Sequence, residues 1–347
     1  DFVTLDQGTG IVHAAPSHGP DDFNLCLKHG LKAPDTMNDA GIYSEAIPFF
    51  SGIHIFKADP IVIEKLSESE NLLGNGKLQH SFPHSWRSKA PLVYRATPQW
   101  FISMEKNNLR KKALKAIDNT AFYPARGKER IRSMIESRPD WCISRQRVWG
   151  VPLPIFVSKK TNEPLRDPEV IENIAKIYER EGADCWFDDD PQKFLGKKYK
   201  KENYIKSTDI CEVWFDSGCT HSFVLEKRKD LTWPASMYLE GSDQHRGWFH
   251  SSLLESCGTR GRAPFKSILS HGFVVDGKGL KMSKSTGNII APEDILKKYG
   301  ADILRAWVAA SDYTEDLRLD YSILEQHAES YKKIRNTFRF LLGNLRD

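Results

Sequence analysis

The segment at residues 281–285 has the composition of a phosphate-binding loop. It reads Lys-Met-Ser-Lys-Ser, so Lys281 and Lys284 supply two positive charges beside serine hydroxyls, and glycines lie on both sides of it. Nucleotidyl transfer needs positive charge where the leaving pyrophosphate becomes more negative, and a glycine-hinged loop can close over a triphosphate. A bare pair of lysines would also suit an exposed loop without a ligand. The complete KMSKS string, between a strand and a capped helix, favours phosphate binding.

A second segment, residues 240–245 with the sequence Glu-Gly-Ser-Asp-Gln-His, follows a predicted strand and precedes a predicted helix. A carboxylate at a strand end can accept both hydroxyls of a ribose, Gly241 allows close approach to the backbone, and a helix start presents free N–H groups to an anion. Alternatively, Ser242 or Asp243 only caps the helix. Capping leaves Glu240 unexplained, because we expect it at the end of a buried strand, where an unpaired carboxylate is costly.

Strand and helix patterns alternate around these two segments. Strands are predicted at 210–215, 237–239 and 268–275, and helices at 244–256, 292–299 and 302–310. This alternation predicts a parallel α/β sheet, whose ligands bind outside the carboxyl ends of the strands. Beyond about residue 320 the pattern is purely helical, with one apolar face formed by Ile323, Tyr331, Ile334, Phe338 and Leu341.

The earlier part of the chain mixes short strands and helices. Strands are predicted at 10–15, 53–56, 92–96 and 100–104, and helices near Asp21, from Asp59 and at 105–117. The helix at 105–117 is strongly basic, with Lys106, Arg110, Lys111, Lys112 and Lys115. This pattern suits a solvated helix face, and contact with RNA is the alternative.

The composition is that of an ordinary globular protein, with 40% hydrophobic, 11% aromatic and 28% charged residues. The net charge of +4 permits a nucleic-acid partner without requiring one. The six cysteines form no CxxC pair, which favours reduced thiols in a cytoplasmic protein, with the mitochondrial matrix as the alternative. No run approaches the roughly 18 apolar residues of a membrane span. The chain opens at Asp1 within an already folded pattern, so we expect a fragment.

Other strings accompany the KMSKS segment. They are Trp-Cys-Ile-Ser-Arg-Gln-Arg at 141–147, Trp-Phe-Asp-Ser-Gly at 214–218, Tyr-Leu-Glu-Gly-Ser-Asp-Gln-His at 238–245, His-Gly-Phe at 271–273 and Ser-Asp-Tyr-Thr at 311–314. With them the chain resembles the class I aminoacyl-tRNA synthetases over essentially its whole length, and within that class the isoleucyl-tRNA synthetase family of bacterial and organellar type. The valyl-tRNA synthetase family is the nearest alternative, but it typically lacks the patterns at 216–218 and 241–245.

The resemblance implies an ATP and adenylate site built at strand ends from Glu240, Gly241, Asp243, Gln244, His271, Gly272, Phe273 and Lys284. Glu240 would hold the ribose, and the backbone from His271 onward would face adenine. Lys281 and Lys284 would be catalytic, stabilising the transition state in which pyrophosphate leaves, with Lys284 the stronger of the two. Trp214 would wall the amino-acid pocket, whereas outside this family it would be read as an ordinary core aromatic.

Residues 8–13 and 18–22 resemble the end of an inserted editing domain. There Asp22 would bind the ammonium group of a mischarged amino acid, and His13 would contact the substrate near the scissile ester. A hydrolytic site is needed because a hydrophobic pocket discriminates weakly against a substrate that lacks one methylene. The HIGH motif and the Thr-rich editing strip of the family are absent from this sequence. Some relatives carry cysteines near His80 and His84, but here we expect no zinc ligand in that stretch.

The resemblance predicts an α/β fold that forms the C-terminal half of a class I Rossmann-type catalytic core. It divides the chain into the tail of the editing domain (1–76), the return to the core (77–149), a connective insertion (150–205), the core with the KMSKS loop (206–290), a stem-contact region (291–320) and the start of a helical anticodon-binding domain (321–347). It implies ATP with Mg²⁺, isoleucine and tRNA(Ile) as partners, editing of valyl-tRNA, a monomer and no membrane contact. We expect no adenylation by this fragment alone. A nucleotidyltransferase without RNA and a degenerate synthetase-like RNA-binding module are the alternatives.

Overall fold

A computed structural model describes residues 3–6, 8–86 and 88–345 of the chain. The chain forms two compact units, Asp1–Pro98 and Gln99–Asp347, each with its own internal contacts. The first unit therefore extends past residue 76. The assignment of particular segments to editing, catalytic and anticodon-binding domains stays a prediction.

The first unit contains two α-helices, α1 (Pro20–Lys28) and α2 (Asp59–Glu68). Both carry proline in the first turn, where its fixed φ suits a helix start, so both predicted helices are confirmed. The strands predicted at 10–15, 53–56 and 92–96 are wrong. Residues 10–15 and 92–96 form no strand, and a 3-10 turn at Ile55–Lys57 takes the second half of the segment 53–56. Strand propensity alone does not make a strand where no neighbouring strand supplies hydrogen bonds.

The second unit alternates helices and short strands. Its helices are α3 (Leu109–Asp118), α4 (Arg126–Glu136), α5 (Pro168–Glu181), α6 (Cys185–Asp188), α7 (Pro191–Leu195), α8 (Val213–Gly218), α9 (Trp248–Thr259), α10 (Pro292–Tyr299), α11 (Ala301–Ala310) and α12 (Tyr321–Asn344). Its strands are β1 (Phe101–Ile102), β2 (Ala121–Tyr123), β3 (Trp141–Cys142), β4 (Ser144–Arg145), β5 (Phe156–Ser158), β6 (Tyr204–Lys206), β7 (Ile210–Cys211), β8 (Tyr238–Gly241), β9 (Ser267–His271), β10 (Val274–Asp276) and β11 (Leu317–Leu319).

A parallel sheet in the order β2, β9, β8 forms the centre of this unit. Helices α3, α4 and α9 pack against it, and Ile117, Ile131, Leu253 and Ile268 meet in one buried cluster. Burial of each such side chain stabilises the fold by roughly 1.5–3 kcal/mol. The predicted parallel α/β arrangement is therefore confirmed for this region. Two-stranded pairs surround it: β1 with β3, β4 with β7, β5 with β6, and β10 with β11.

Three predicted elements are each interrupted at one residue. The strand expected at 210–215 stops at Cys211, because the carboxylate of Glu212 accepts the N–H of Phe215 at 3.1 Å and starts α8. The strand expected at 268–275 divides at Gly272 into β9 and β10, which belong to different sheets. The helix expected at 244–256 divides at Gly247 into a 3-10 turn and α9.

The basic helix begins later than predicted. Residues Lys106–Asn108 form a 3-10 turn in which Asn107 has a φ of 54°, and Asn108 follows with a φ of 58°. Asparagine tolerates this left-handed conformation better than most residues do. The α-helical part is therefore α3, from Leu109, and it keeps the lysines at 111, 112 and 115.

The C-terminal helices α10, α11 and α12 form their own cluster around Ile295, Ile303, Trp307 and Leu324. Gly300 separates α10 from α11 with a φ of 82°, a conformation that favours glycine. The predicted helices are confirmed, but the far end of the predicted apolar face on α12 is exposed, with Phe338 at 61%. Within the described residues, no helix is long and apolar enough to cross a membrane.

Candidate functional site

The two chemically suggestive segments follow strands β8 and β10. In the parallel pairing of β8 with β9, Glu240 lies opposite Ser270 and Gly241 opposite His271. Strand β9 is followed directly by β10, from which the KMSKS loop continues. The fold therefore brings the predicted ribose-binding carboxylate to the edge of the central sheet from which the chain leaves, through β10 of a second sheet, towards the predicted phosphate loop.

Gly241 is a point of close approach in this edge. A methyl group added there would lie 2.7 Å from Oδ1 of Asp243 and 3.8 Å from the ring of Phe273. Glu240 beside it is exposed, which corrects our expectation of a buried strand end. Its carboxylate accepts the N–H of Gly241 at 3.2 Å. The Glu240 carboxylate is therefore exposed to solvent and is not a buried, unpaired charge.

Gln244 links this edge to helix α9. Its side-chain oxygen accepts the N–H of Trp248 at 2.9 Å, and its nitrogen donates to Asp243 at 3.1 Å. Neither Ser242 nor Asp243 caps the helix, so the capping interpretation of this segment is wrong for both. Gln244 satisfies the first helical N–H instead and is held in a fixed orientation.

Trp214 meets Gln244 across Gly247. A methyl group built on Gly247 would lie 2.6 Å from Oε1 of Gln244 and 2.9 Å from the indole ring of Trp214. Trp214 lies on α8 and is 40% exposed, so it is not a fully buried core residue. The structure therefore brings the residue predicted to wall an amino-acid pocket next to a residue predicted to line the adenylate pocket.

A cleft of about 270 Å³ opens beside Trp214. Its walls include His250 and Arg138, which the sequence did not single out. His250 is 3% exposed, and within the described chain neither of its ring nitrogens has a hydrogen-bond partner. Burial lowers the pKa of His250 to about 3, and the positive charge of Arg138 adds to the effect. The wall of the cleft is consequently an uncharged imidazole at neutral pH.

A wider groove of about 850 Å³ shares Arg145 and Glu212 with this cleft. Glu212 is buried, and its carboxylate lies 3.6 Å from the guanidinium of Arg145. Trp149 lines the groove with 90% of its surface exposed, next to Arg147. An exposed indole beside arginines is a surface on which an unpaired nucleotide base can stack.

The KMSKS loop is ordered by hydrogen bonds among its neighbours. Asn288 donates to the carboxylate of Asp276 at 2.9 Å and to the carbonyl of Lys281 at 3.2 Å, and its oxygen accepts the N–H of Ser283 at 2.9 Å. The hydrogen bond from Asn288 is the main reason that the pKa of Asp276 lies below its usual value. Lys284 is exposed, and the described residues contain no ion pair with it or with Lys281.

Met282, between the two lysines, packs against the cluster of the C-terminal helices. This contact anchors the middle of the motif while the lysine on each side stays exposed to solvent.

The predicted adenine-facing segment is held by the chain that follows α11. Gly272 donates its N–H to the carbonyl of Tyr313, and a methyl group added to Gly272 would lie 2.2 Å from the carbonyl oxygen of Glu315. Phe273 donates its N–H to Asp316 at 2.8 Å and accepts the N–H of Leu317 at 2.7 Å. These contacts leave the half-exposed ring of Phe273 as the part that faces outward near Gly241.

The predicted editing residues lie in the first unit. The carboxylate of Asp22 accepts the N–H of Ala15 at 2.7 Å, which ties the start of α1 to the extended segment that carries His13. His13 is exposed. In the same unit, Nδ1 of His80 bonds the carbonyl of Ser81, and Nδ1 of His84 that of Phe82.

One group of possible metal ligands is found in the described part of the chain: Glu181, Cys185 and Asp189. Lys193 forms ion pairs with both carboxylates. The ammonium group therefore already supplies the positive charge that the cluster needs.

The fold and the site together define a class of protein. A parallel sheet carries an exposed carboxylate at the end of β8, and the KMSKS loop follows β10. The family model of the class I tRNA synthetases for isoleucine, leucine, methionine and valine matches residues 27–320, and the chain belongs to this family.

Relatives of the chain belong to one branch of this family, the isoleucine--tRNA ligases. The chain is 77% identical over 346 residues to the isoleucine--tRNA ligase of Pelagibacter ubique (strain HTCC1062) and 53% identical over 352 residues to that of Geobacter sulfurreducens. It is fully covered in both matches and spans 38% of the length of each relative. The resemblance to the isoleucyl-tRNA synthetases is confirmed. Methionyl-tRNA synthetase of Mycobacterium tuberculosis, bound by methionyl-adenylate, matches 73% of the chain and 41% of its own at 17% identity and a TM-score of 0.47, too low to inform the site.

Proposed function

We propose that the full-length protein is an isoleucine--tRNA ligase, which activates isoleucine with ATP and transfers it to tRNA(Ile). The observation that carries the proposal is the meeting of Trp214 and Gln244 across Gly247, at the sheet edge that also holds Glu240. It supports an apolar wall for a side chain next to polar groups suited to a nucleotide. The identity of the relatives supports isoleucine over valine as the amino acid.

Activation requires orientation and charge more than covalent help from the protein. The carboxylate oxygen of isoleucine attacks the α-phosphorus of ATP, a new P–O bond forms, and the bond to pyrophosphate breaks. Glu240 is open to accept the ribose hydroxyls, and Gly241 leaves room for the nucleotide beside Phe273. Lys281 and Lys284 offer unpaired positive charge to the leaving pyrophosphate, whose Mg²⁺ arrives with ATP.

Transfer requires the 3′ end of a tRNA at the same site. A ribose hydroxyl of the terminal nucleotide attacks the carbonyl carbon of isoleucyl-AMP, and AMP leaves. The groove that shares Arg145 with the cleft beside Trp214 offers a path for a single strand, with Trp149 as a stacking surface. This groove favours a tRNA-charging enzyme over a nucleotidyltransferase that acts without RNA.

Editing belongs to the same proposal. Asp22 would hold the ammonium group of valine on a mischarged tRNA, and His13 would contact the substrate near the ester. The support is the resemblance of residues 8–13 and 18–22 to the end of an editing domain, together with the hydrogen bond that fixes Asp22 to Ala15.

The test is isoleucine-dependent exchange of labelled pyrophosphate into ATP by the full-length protein. We expect exchange with isoleucine at a kcat/KM at least about tenfold above that with valine, since one methylene in an apolar pocket is worth roughly 1–3 kcal/mol. Exchange with none of isoleucine, valine or leucine would remove the proposal. A preference for valine over isoleucine would instead indicate a valyl-tRNA synthetase.

A further inference from the structure

A basic cleft of about 420 Å³ lies at the sheet edge opposite the candidate site. It opens at the amino ends of β2 and β9, where the N–H of Ala121 bonds the carbonyl of Lys266. We define the basic cleft by its four cationic residues, Lys112, Lys115, Arg262 and Lys266. The other lining residues include the apolar Ala116, Ala263 and Phe265 and the polar Asn119 and Thr120.

The positive charge of the basic cleft is not compensated by the protein. No carboxylate lines it, and in the part of the chain that the structure describes none of its four cations forms an ion pair. Asp118, the last residue of α3, is instead engaged by Arg132 at 2.8 Å and Lys128 at 3.4 Å. Four cations around one concave floor repel each other unless an anion joins them, which makes the cleft a site for a polyanion.

The character of the groups distinguishes the kind of polyanion. Lys112, Lys115 and Lys266 are exposed point charges on flexible stems, and Phe265 is buried and offers no face for a base. None of the buried polar atoms that lack a partner in the described residues lines the cleft, so no fixed donor is aimed at a small ligand. Mobile lysines without stacking or buried donors are typical of contacts to a phosphodiester backbone.

We propose that the basic cleft binds the phosphate backbone of RNA and forms a second RNA contact, at the amino-terminal edge of the sheet. This second RNA contact goes beyond the proposed function. It rests on the proposed function only for the identity of the nucleic acid, a tRNA. The contact contributes affinity and positioning without reading sequence, because exposed lysines bind phosphate oxygens as point charges. The basic helix α3 thus has an RNA contact on the side that faces the cleft.

The experiment compares two triple variants of the full-length protein. Lys112→Gln, Lys115→Gln and Lys266→Gln together remove three charges from the cleft, and Arg262 is kept because its guanidinium packs over Trp233 at 5.6 Å. The control is Lys160→Gln, Lys197→Gln and Lys200→Gln, exposed lysines of the same unit, for which the described residues show no ion pair. Both triples change the net charge equally.

Binding of a fluorescent tRNA(Ile) transcript is measured as a function of KCl concentration. We expect the slope of log K against log[KCl] to become shallower by about 2–3 in the cleft variant, since each neutralised phosphate contributes roughly 0.7–0.9. The control variant should keep the slope of the unsubstituted protein. Isoleucine-dependent pyrophosphate exchange needs no tRNA and should be unchanged in both, which shows that the fold is intact.

Two results would overturn the proposal. One is an unchanged slope in the cleft variant. The other is loss of tripolyphosphate binding in that variant with an unchanged RNA slope, which would identify a site for a small anion. Failure of pyrophosphate exchange in the unsubstituted protein would count against the proposed function alone, because the salt dependence of RNA binding does not require adenylation.

Discussion

The side-chain amide of Asn288 donates to the carboxylate of Asp276 at 2.9 Å, and this contact closes the loop that carries Lys281 and Lys284. Asp276 ends strand β10 and also accepts the N–H groups of Lys278 and Leu280. The predicted phosphate loop is therefore held at both ends by hydrogen bonds to Asp276 and Asn288. Pre-shaping lowers the entropy that must be lost when a triphosphate binds.

Replacement of Asn288 by Ala should slow adenylation without unfolding the protein. It removes the hydrogen bonds to Asp276 and Lys281 and the one accepted from Ser283. Each is worth about 1 kcal/mol, so we expect kcat for pyrophosphate exchange to fall about tenfold or more. Asn203→Ala, at an exposed asparagine of the same unit, is the control and should keep its rate. Full activity of the Asn288 variant would show that the loop needs no such closure.

Substitution of either lysine of the motif should slow pyrophosphate exchange, whereas substitution of Lys278, just before the motif, should not. We expect Lys284→Ala to lower kcat for pyrophosphate exchange about 10²–10³-fold, the usual cost of removing one group that stabilises charge in a transition state. Lys281→Ala should act in the same direction but less strongly. Lys278→Ala removes an exposed lysine from the preceding turn and should leave the rate within about twofold. An equal loss in all three variants would point to the overall charge of the loop.

The sequence predicted the ends of elements less well than their order. Strands β8 and β9 and helices α10 and α11 were predicted from their apolar pattern. The parallel pairing of β8 with β9, also predicted, places Gly241 opposite His271. The breaks at Glu212 and Gly272 were not predicted. The first depends on a side chain that accepts the N–H three residues further on, and the second on close contact with the backbone of Glu315. Neither signal has a period that a pattern can reveal.

The walls of the cleft beside Trp214 were missed for a related reason. His250 lies within α9 among residues that are all buried, so its side chain reads as one more core position. Arg138 lies more than a hundred residues earlier and meets it only in the fold. The sequence offered one signal, a polar residue within an apolar stretch. That signal does not reveal which other residue the side chain contacts in the fold.

Gly272→Ala should be strongly destabilising. The added methyl group would meet the carbonyl oxygen of Glu315 at 2.2 Å and the N of Asp316 at 2.7 Å, both of them backbone atoms. Relief requires the backbone to move, so we expect a loss of about 1–3 kcal/mol in the free energy of unfolding. Gly343→Ala, in α12, meets nothing within 4 Å and should raise stability by up to about 1 kcal/mol. Thermal unfolding of both variants checks the opposite signs, and equal melting temperatures would contradict the expected clash.

Asp22→Asn separates a role in editing from a role in the local fold. Asparagine keeps an oxygen that can accept the N–H of Ala15 but loses the negative charge that would bind an ammonium group. We expect hydrolysis of valyl-tRNA(Ile) to fall about tenfold or more, since hydrogen bonds to charged groups are worth about 1.5–3 kcal/mol, with isoleucine-dependent exchange unchanged. Asp21→Asn, at the neighbouring carboxylate in the same first turn, is the control. If the Asp22 variant hydrolyses valyl-tRNA(Ile) as fast as the unsubstituted protein does, the role of Asp22 is only structural, at the start of α1.

His250 should make the protein less stable in mild acid. Its pKa in the folded state is lowered by burial to about 3, whereas an unfolded histidine has its ordinary value of 6.5. Between these values the unfolded chain binds a proton that the folded chain excludes, so this contribution to stability is lost as the pH falls below about 6.5. The loss is about 1.4 kcal/mol per pH unit, or roughly 2 kcal/mol from this residue at pH 5.

The measurement is urea denaturation at pH 7 and pH 5. His250→Leu cannot titrate and should show a smaller fall in the free energy of unfolding between the two pH values than the unsubstituted protein does. His29→Gln, at an exposed histidine, should keep the original fall. The difference between the variants isolates His250 from the carboxylates, which titrate in all three proteins. The same fall in His250→Leu as in the unsubstituted protein would mean that His250 is protonated in the fold and that the wall of the cleft beside Trp214 is charged.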